Sequence, residues 1–354
     1  MRKIQLGNTL ITQDSECYVI AEIGNNHGGK LENALNMITS AKECGANAVK
    51  FQRRNNKKLF TKSFYDSPYN SENSFASTYG SHRDFLEMKD ENYKVLIDHS
   101  KKIEIDFFAT PFEEDSLEFF ESLDLPFYKV ASGDIFNLKL LKMYAEINKP
   151  IIISTGGCKV EDIKTATDFL EDNNFFEYTL LQCTASYPCD FEYMNLDFIK
   201  TLMKMYPKKI IGLSDHNRGI ALPIYAYALG ARIVERHFTL DRSQKGTDHA
   251  FSLEPTGLRK MIRDLKAVRI SRGSGIKEIY ECEEKPLEKM RKSIYLSRDI
   301  SKGDTISNTD LDLKCPYHHD AFNGQDYFKL IGKKIKIDKK KDDPLFKDDL
   351  NQIL

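Results

Sequence analysis

The chain has 354 residues in which 52 Lys+Arg balance 53 Asp+Glu to a formal charge of -1, so its charge excludes nucleic acid as an expected partner, and any anion it binds should be small. Its seven cysteines are odd in number and form no CxxC pair, which predicts reduced thiols in a cytoplasmic protein rather than a disulfide frame. Met1–Gln5 has no apolar signal region and no run approaches the roughly 18 apolar residues of a membrane span, so no membrane role is expected.

Along the chain, eight short apolar runs each end in polar residues. Tyr18 to Ala21 ends at Glu22, Ala46 to Val49 at Lys50 and Gln52, Ile105 to Ala109 at Thr110, and Phe127–Tyr128 leads to Lys129 and Ser132. Ile151 to Ile153 ends at Ser154, Tyr178 to Leu181 leads to Gln182, Thr184 and Tyr187, Ile210 to Leu213 ends at Ser214, and Ala231 to Val234 ends at Glu235 and His237. Short runs of this kind, bounded by Gly, Pro, Asn or Asp, read as strands buried on both faces.

Between them lie amphipathic stretches. Leu31 to Cys44 stops at Gly45, a residue suited to a left-handed helix cap, and Val160 to Leu170, Phe198 to Met205, Pro223 to Leu229 and Pro255 to Val268 read as further crossover helices. Eight repeats of strand and helix predict an α/β fold, a (β/α)8 TIM barrel over residues 1–270, ahead of the doubly wound open sheet. Gly24 to Gly29 lacks the GxGxxG spacing of a dinucleotide site. Residues 271–291 are charged and contain breakers, as a linker would, and 292–354, with short strands and Lys-Gly-Asp turns, reads as a small β-rich domain.

In a parallel barrel the C-terminal strand ends converge on one face and share a pocket. His216 and His237 then stand at adjacent ends, the spacing of a metal pair. With two imidazoles, water and substrate oxygens complete an open coordination sphere, which favours Mn²⁺ or Mg²⁺ over a closed zinc site. His27, in a loop after two Asn, is a third candidate, equally suited to orienting its neighbours.

At these endings the chain resembles a known family. AEIGNNHGG (21–29), AVKFQ (48–52), FFATPF (107–112), YKVASGD (128–134), STGG (154–157), QCTASYP (182–188), GLSDH (212–216) and ERHFTLD (235–241) look like the sialic acid synthase (N-acetylneuraminate synthase) family in order and over nearly the whole chain. The C-terminal unit resembles the antifreeze-like (SAF) domain that follows that barrel. The resemblance implies condensation of phosphoenolpyruvate with the aldehyde of an N-acyl hexosamine, N-acetylmannosamine or a deoxy or diacetamido relative, to give a nonulosonic acid and phosphate. It implies that Lys50, Thr110, Lys129, Ser132, Ser154 and Ser214 hold phosphoenolpyruvate. On the same resemblance, Glu22, Gln52, Tyr187 and Asp248 are expected to face the sugar, Glu22 and Asp134 to be the catalytic carboxylates, and His216 and His237 to bind the metal, Mn²⁺ first with Mg²⁺ or Co²⁺ as alternatives. A homodimer with the SAF domain over the partner's active site is also implied.

Three positions depart from the family pattern. Asp134 stands where the family usually carries Glu, Cys315 where an Arg reaches the sugar's acyl group, and Ala185 where several relatives have Asn or Ser near the phosphate. A thiol cannot donate as a guanidinium does, so the acyl pattern of the sugar stays open. Two other classes also stay open, a metal-dependent aldolase or lyase on the same barrel and a non-catalytic sugar-phosphate binding protein.

Overall fold

All eight apolar runs are strands of one closed parallel barrel in the computed structural model, which describes residues 2–351. After an N-terminal hairpin, β1 (Lys3–Leu6) and β2 (Thr9–Thr12), the barrel strands are β3 (Tyr18–Gly24), β4 (Ala48–Arg53), β5 (Asp106–Pro111), β6 (Tyr128–Val130), β7 (Ile151–Ser154), β8 (Tyr178–Cys183), β9 (Ile211–Asp215) and β10 (Ile233–His237). β10 pairs with both β9 and β3, which closes the ring. The polar endings are therefore mostly the last inward positions of the strands themselves.

Strand alternation sorts the side chains into layers. The outward set, including Val19, Ala21, Val49, Phe51, Phe107, Tyr128, Ile153, Leu180, Leu213 and Val234, packs under the crossover helices in the main core. The inward set begins apolar, with Ile20, Ala48, Phe108, Phe127, Ile152, Leu181, Ile210 and Ile233 in a second cluster. Two residues further along the same face come Glu22, Lys50, Thr110, Lys129, Ser154, Cys183 and Glu235, with Ser214 and then His216 above Ile210 on β9. One inward position on β9 is Gly212, where an added Cβ would stand 2.5 Å from both the Ile233 carbonyl oxygen and Leu181 Cδ2, so the barrel closes tightly there.

The hairpin was not expected. Its Ile4, Leu6 and Ile11 join the inward apolar layer from the N-terminal side and stop that end of the barrel. Each such buried aliphatic side chain stabilises by about 1.5–3 kcal/mol relative to exposure. The floor beneath the polar layer is therefore dry and fixed.

Between β4 and β5 the chain makes a second unexpected excursion through short helices Asn56–Leu59, Lys62–Tyr65 and Tyr79–Leu86 before the crossover helix Asp90–Lys102. Gly80 lets this excursion pack, since a Cβ there would stand 2.2 Å from the Tyr65 ring. Asn73 Oδ1 accepts a hydrogen bond from the Gly246 amide (3.1 Å), tying the excursion to the loop after β10.

Contacts divide the chain into Met1–Gly273 and Ser274–Leu354. The last barrel helix runs Pro255–Ser271, and the stretch read as a linker holds a helix, Glu281–Met290, with Pro286 inside it. The second unit has an antiparallel pair, β11 (Ser293–Leu296) and β12 (Leu311–Lys314), and its own core of Ile294, Leu296, Ile300, Ile306, Leu311, Phe322, Leu330, Ile335, Leu345 and Leu350. Among the described residues no helix is long and apolar enough to cross a membrane.

Candidate active site

The inward polar layer opens into a cavity of about 450 Å³ at the C-terminal ends of the strands. Glu22, Lys50, Gln52, Thr110, Lys129, Ser132, Ser154, Tyr187, Ser214, His216, His237 and Asp248 all line it. Asp134 does not. A larger cavity, about 740 Å³, lies at the other end of the barrel beside the hairpin turn, away from the polar layer, and gathers none of these residues.

At the floor of the polar layer two lysines have different surroundings. Lys50 Nζ lies 3.0 Å from Glu22 Oε2 and 3.6 Å from Glu235 Oε1, and donates to Thr110 Oγ1 at 3.1 Å. Burial alone would favour neutral Lys50, but the two carboxylates outweigh it and raise its pKa. Lys129 Nζ donates to Ser154 Oγ (2.6 Å) and to the Val130 carbonyl (2.9 Å), and forms no ion pair among the described residues. Burial lowers the pKa of Lys129 against the attraction of Glu235, which is the cost of holding a cation whose hydrogen-bond partners are uncharged. An incoming anion relieves that cost. Ser132 completes this wall, its Oγ accepting the Gly156 amide at 3.0 Å.

The carboxylates flanking Lys50 differ too. Burial holds Glu22 above the ordinary carboxylate range despite Lys50, while for Glu235 burial is outweighed by Lys50 and Lys129, which hold it low. Gln52 Nε2 donates to Glu22 Oε1 (2.6 Å) and Ser214 Oγ to Glu235 Oε1 (3.2 Å). Glu235 was given no role from sequence, although it sits two residues before His237 and so shares its face of β10.

On the opposite side the ring centroids of His216 and His237 are 5.4 Å apart, with the Tyr187 ring 4.2 Å from that of His216. A carbonyl can only accept, so the contact of His216 Nδ1 with the Thr184 oxygen (3.0 Å) assigns the proton to Nδ1 and leaves the Nε2 lone pair free. Burial lowers both imidazole pKa values, that of His216 to about 4, so both rings are neutral near pH 7, as metal ligands must be. His237 Nδ1 is buried without a hydrogen-bond partner, 3.6 Å from Asp248 Oδ2. Among the described residues no cluster of three or more His, Cys, Asp or Glu is set up to hold a metal. The outward-facing Arg236, fully buried and paired with Asp215, donates to the Asn217 carbonyl (2.7 Å) and braces the segment that carries His216.

Two candidates fall elsewhere. His27 is fully buried, stacks on Phe51 at 5.6 Å, accepts the Gly29 amide on Nδ1 (3.0 Å) and does not line the cavity, so it orients its loop. Asp134 ends the short turn Ser132–Asp134, whose Ser132 and Gly133 reach the cavity while its own side chain lies outside the lining. Burial pushes its pKa up to about 6, against Arg54 and an Asn137 hydrogen bond. Because the folded pKa lies above the ordinary 3.8, the neutral form stabilises the fold, fully below about pH 4, and this is lost as pH rises through about 6. Asp134→Asn should therefore gain thermal stability over the parent as pH rises from about 4 to 7, with no difference at pH 3.5. A pH-independent difference in melting temperature would refute this assignment.

The comparisons with known proteins agree with the barrel and the small domain after it. Residues 37–277 match the NeuB family and residues 291–351 the SAF domain. The N-acetylneuraminate-9-phosphate synthase of Mus musculus is 37% identical over 332 residues, spanning 94% of this chain and 92% of the mouse protein. An N,N'-diacetyllegionaminic acid synthase of Campylobacter jejuni is 36% identical over 338 residues, 93% of this chain and 98% of that one. The crystal structure of an N-acetylneuraminic acid (sialic acid) synthetase from Leptospira borgpetersenii matches with a TM-score of 0.70 at 33% identity, covering 81% of this chain and 95% of that one.

Proposed function

The chain belongs to the NeuB family and carries a SAF domain after its barrel, and from that premise we propose that it condenses phosphoenolpyruvate with an N-acyl hexosamine aldehyde to form a nonulosonic acid and phosphate. Lys129 carries this reading. It is a buried cation whose hydrogen-bond partners are all neutral, in the same cavity as two neutral imidazoles.

Lys129 with Ser132, Ser154 and Thr110 takes the phosphate, and Lys50 and Ser214 the carboxylate, through charge-assisted hydrogen bonds. The enol phosphate C3 then faces the aldehyde carbon of a sugar held by Gln52, Tyr187 and Asp248. His216 and His237 would hold a divalent cation, Mn²⁺ with Mg²⁺ or Co²⁺ as alternatives, which would polarise that carbonyl when bound. Glu22, kept protonated more readily by burial, hands its proton to the aldehyde oxygen as the carbon–carbon bond forms. Water then adds at C2 and phosphate leaves, so one phosphoenolpyruvate, one aldose and one water yield one acid and one phosphate. Asp134, as the family's base position, reaches that water only through an intervening molecule, since its side chain lies outside the cavity lining.

The resemblance also carries a homodimer with each SAF domain over the partner's cavity, which sedimentation of the full chain tests. Free thiols at all seven cysteines support a cytoplasmic setting. The decisive assay follows phosphate and product mass with Mn²⁺ and a panel of N-acyl hexosamines and diacetamido analogues. Phosphate should appear only when both phosphoenolpyruvate and an aldose are present. Cleavage of a nonulosonic acid without phosphate consumption would make the protein an aldolase, and binding without turnover a sugar-phosphate binder.

A further inference from the structure

One wall of the cavity is built by residues to which neither the sequence nor the comparisons assign a role. Arg54, one residue past the end of β4, lies with its guanidinium carbon 3.6 Å from the Phe112 ring centroid, and its side chain is only 10% exposed. Its Nη2 donates to Gln52 Oε1 at 2.6 Å, the same Gln52 that bonds Glu22. Its Nη1 is buried without a hydrogen bond, although Glu87 Oε1 is 3.5 Å away. Arg83, on the excursion helix Tyr79–Leu86, also lines the cavity, and its Nε and Nη2 are both buried without a partner.

Of the carboxylates nearby, Glu87 pairs with Arg54 through Nη1, and none accepts a hydrogen bond from Nε or Nη2 of Arg83. Glu87 Oε2 already accepts the Arg54 amide (3.0 Å), and Asp84 is taken up by Asn56 Nδ2 (2.9 Å) and the Tyr65 hydroxyl. Arg83 makes no ion pair among the described residues. Repulsion by Arg83, second to burial, helps lower the Arg54 pKa to about 10, so the two cations feel one another. His82 adds a further donor to this wall. Its Nδ1 accepts the Phe75 amide (3.2 Å), which assigns its proton to Nε2. Buried guanidinium donors left open beside a cavity are costly unless a ligand or ordered water fills them.

The position of this wall identifies the ligand group. The enol phosphate is assigned to Lys129 and its hydroxyl neighbours, whereas Arg54 bonds Gln52, a residue assigned to the sugar. Asp248, beside His237, is itself close enough to act on Arg54. We infer that Arg54 and Arg83, with His82, form a second anion subsite that takes a phosphate monoester on the end of the sugar remote from its aldehyde, so that the preferred substrate is a phosphorylated N-acyl hexosamine. Planar guanidiniums suit a phosphate dianion because each can offer two parallel N–H donors. Relatives named for a 9-phosphate product are among those that match, but the subsite is argued from the unanswered donors of this chain.

This inference rests on the synthase reading, and calorimetry separates the two. Binding of an N-acyl hexosamine 6-phosphate and of the same sugar without phosphate is measured on the full chain with Mn²⁺ and phosphoenolpyruvate present, alongside steady-state rates. The parent should prefer the phosphorylated sugar. Arg83→Gln, which breaks no intramolecular bond, should weaken it by about 10- to 100-fold, through KM, while leaving KM for phosphoenolpyruvate and the weak use of the plain sugar within about 2-fold. Arg83→Lys should recover part of the loss. Equal preference for the two sugars in the parent, equal loss on both in Arg83→Gln, or a loss that falls on phosphoenolpyruvate would each overturn the subsite while leaving the synthase intact. Phosphorylated-sugar binding that depends on Arg83 without any phosphate release would instead remove the synthase reading and keep the subsite.

Discussion

His216→Ala or His237→Ala is expected to lower metal-dependent turnover by about 10³-fold or more, because polarisation of the aldehyde amounts to several kcal/mol of transition-state stabilisation. In the proposed site these two rings are the protein's ligands, so loss of either halves its contribution to the ion, and Thr184 and Asp248, which contact the imidazoles at 3.0 and 3.6 Å, cannot replace a missing ring. Phosphoenolpyruvate affinity should fall far less, since Lys50, Lys129 and the hydroxyls hold it from the other strands. Calorimetric titration with Mn²⁺ and, separately, with phosphoenolpyruvate distinguishes these effects. Full activity in either variant would show that the metal lies elsewhere, and an equal loss of both affinities would show that the cavity had collapsed.

Thr184→Ala offers a weaker control, since it keeps the carbonyl that orients His216. The imidazole contact is made to backbone, so the tautomer should survive removal of the side chain.

The barrel was legible because most strands repeat one pattern on the inward face, an apolar residue followed two positions later by a polar one: Ile20 and Glu22, Ala48 and Lys50, Phe108 and Thr110, Ile152 and Ser154, Ile233 and Glu235. Strand alternation is a local rule, so it can be read without knowing the partners. Glu235 obeys it and could have been assigned with His237. Arg54 and Arg83 could not, because one lies beyond a strand end and the other on an excursion whose path depends on Gly80 against Tyr65 and Asn73 against Gly246. The hairpin was hidden for the same reason, since four-residue strands such as Lys3–Leu6 acquire meaning only from the barrel floor they cover. Asp134 shows the converse limit. Its neighbours Ser132 and Gly133 reach the cavity, and motif position alone does not determine which way the third residue of a tight turn points.

Lys50 is where fold and chemistry depend on the same charge, and Lys50→Met should reduce both. Glu22 and Glu235 are 1% and 6% exposed at the side chain, so removing the cation leaves two carboxylates out of water with no counter-ion within reach of both. Breaking a buried pair in this way costs about 3–5 kcal/mol. Loss of Lys50 raises both folded pKa values, that of Glu22 from an already raised position and that of Glu235 from a lowered one, so the carboxylates take up a proton more readily. A raised folded pKa stabilises below the unfolded value and loses that contribution as pH rises through the folded one, so the deficit should be smallest near pH 4.5 and grow toward pH 8. Adding Glu22→Gln and Glu235→Gln removes the stranded charges, and the triple variant should regain most of the urea midpoint at pH 8 while remaining inactive. Packing of the lysine stem predicts a different outcome, a deficit independent of pH that the two Gln substitutions do not repair, and observing it would show that the ion cluster contributes little to holding the barrel mouth together.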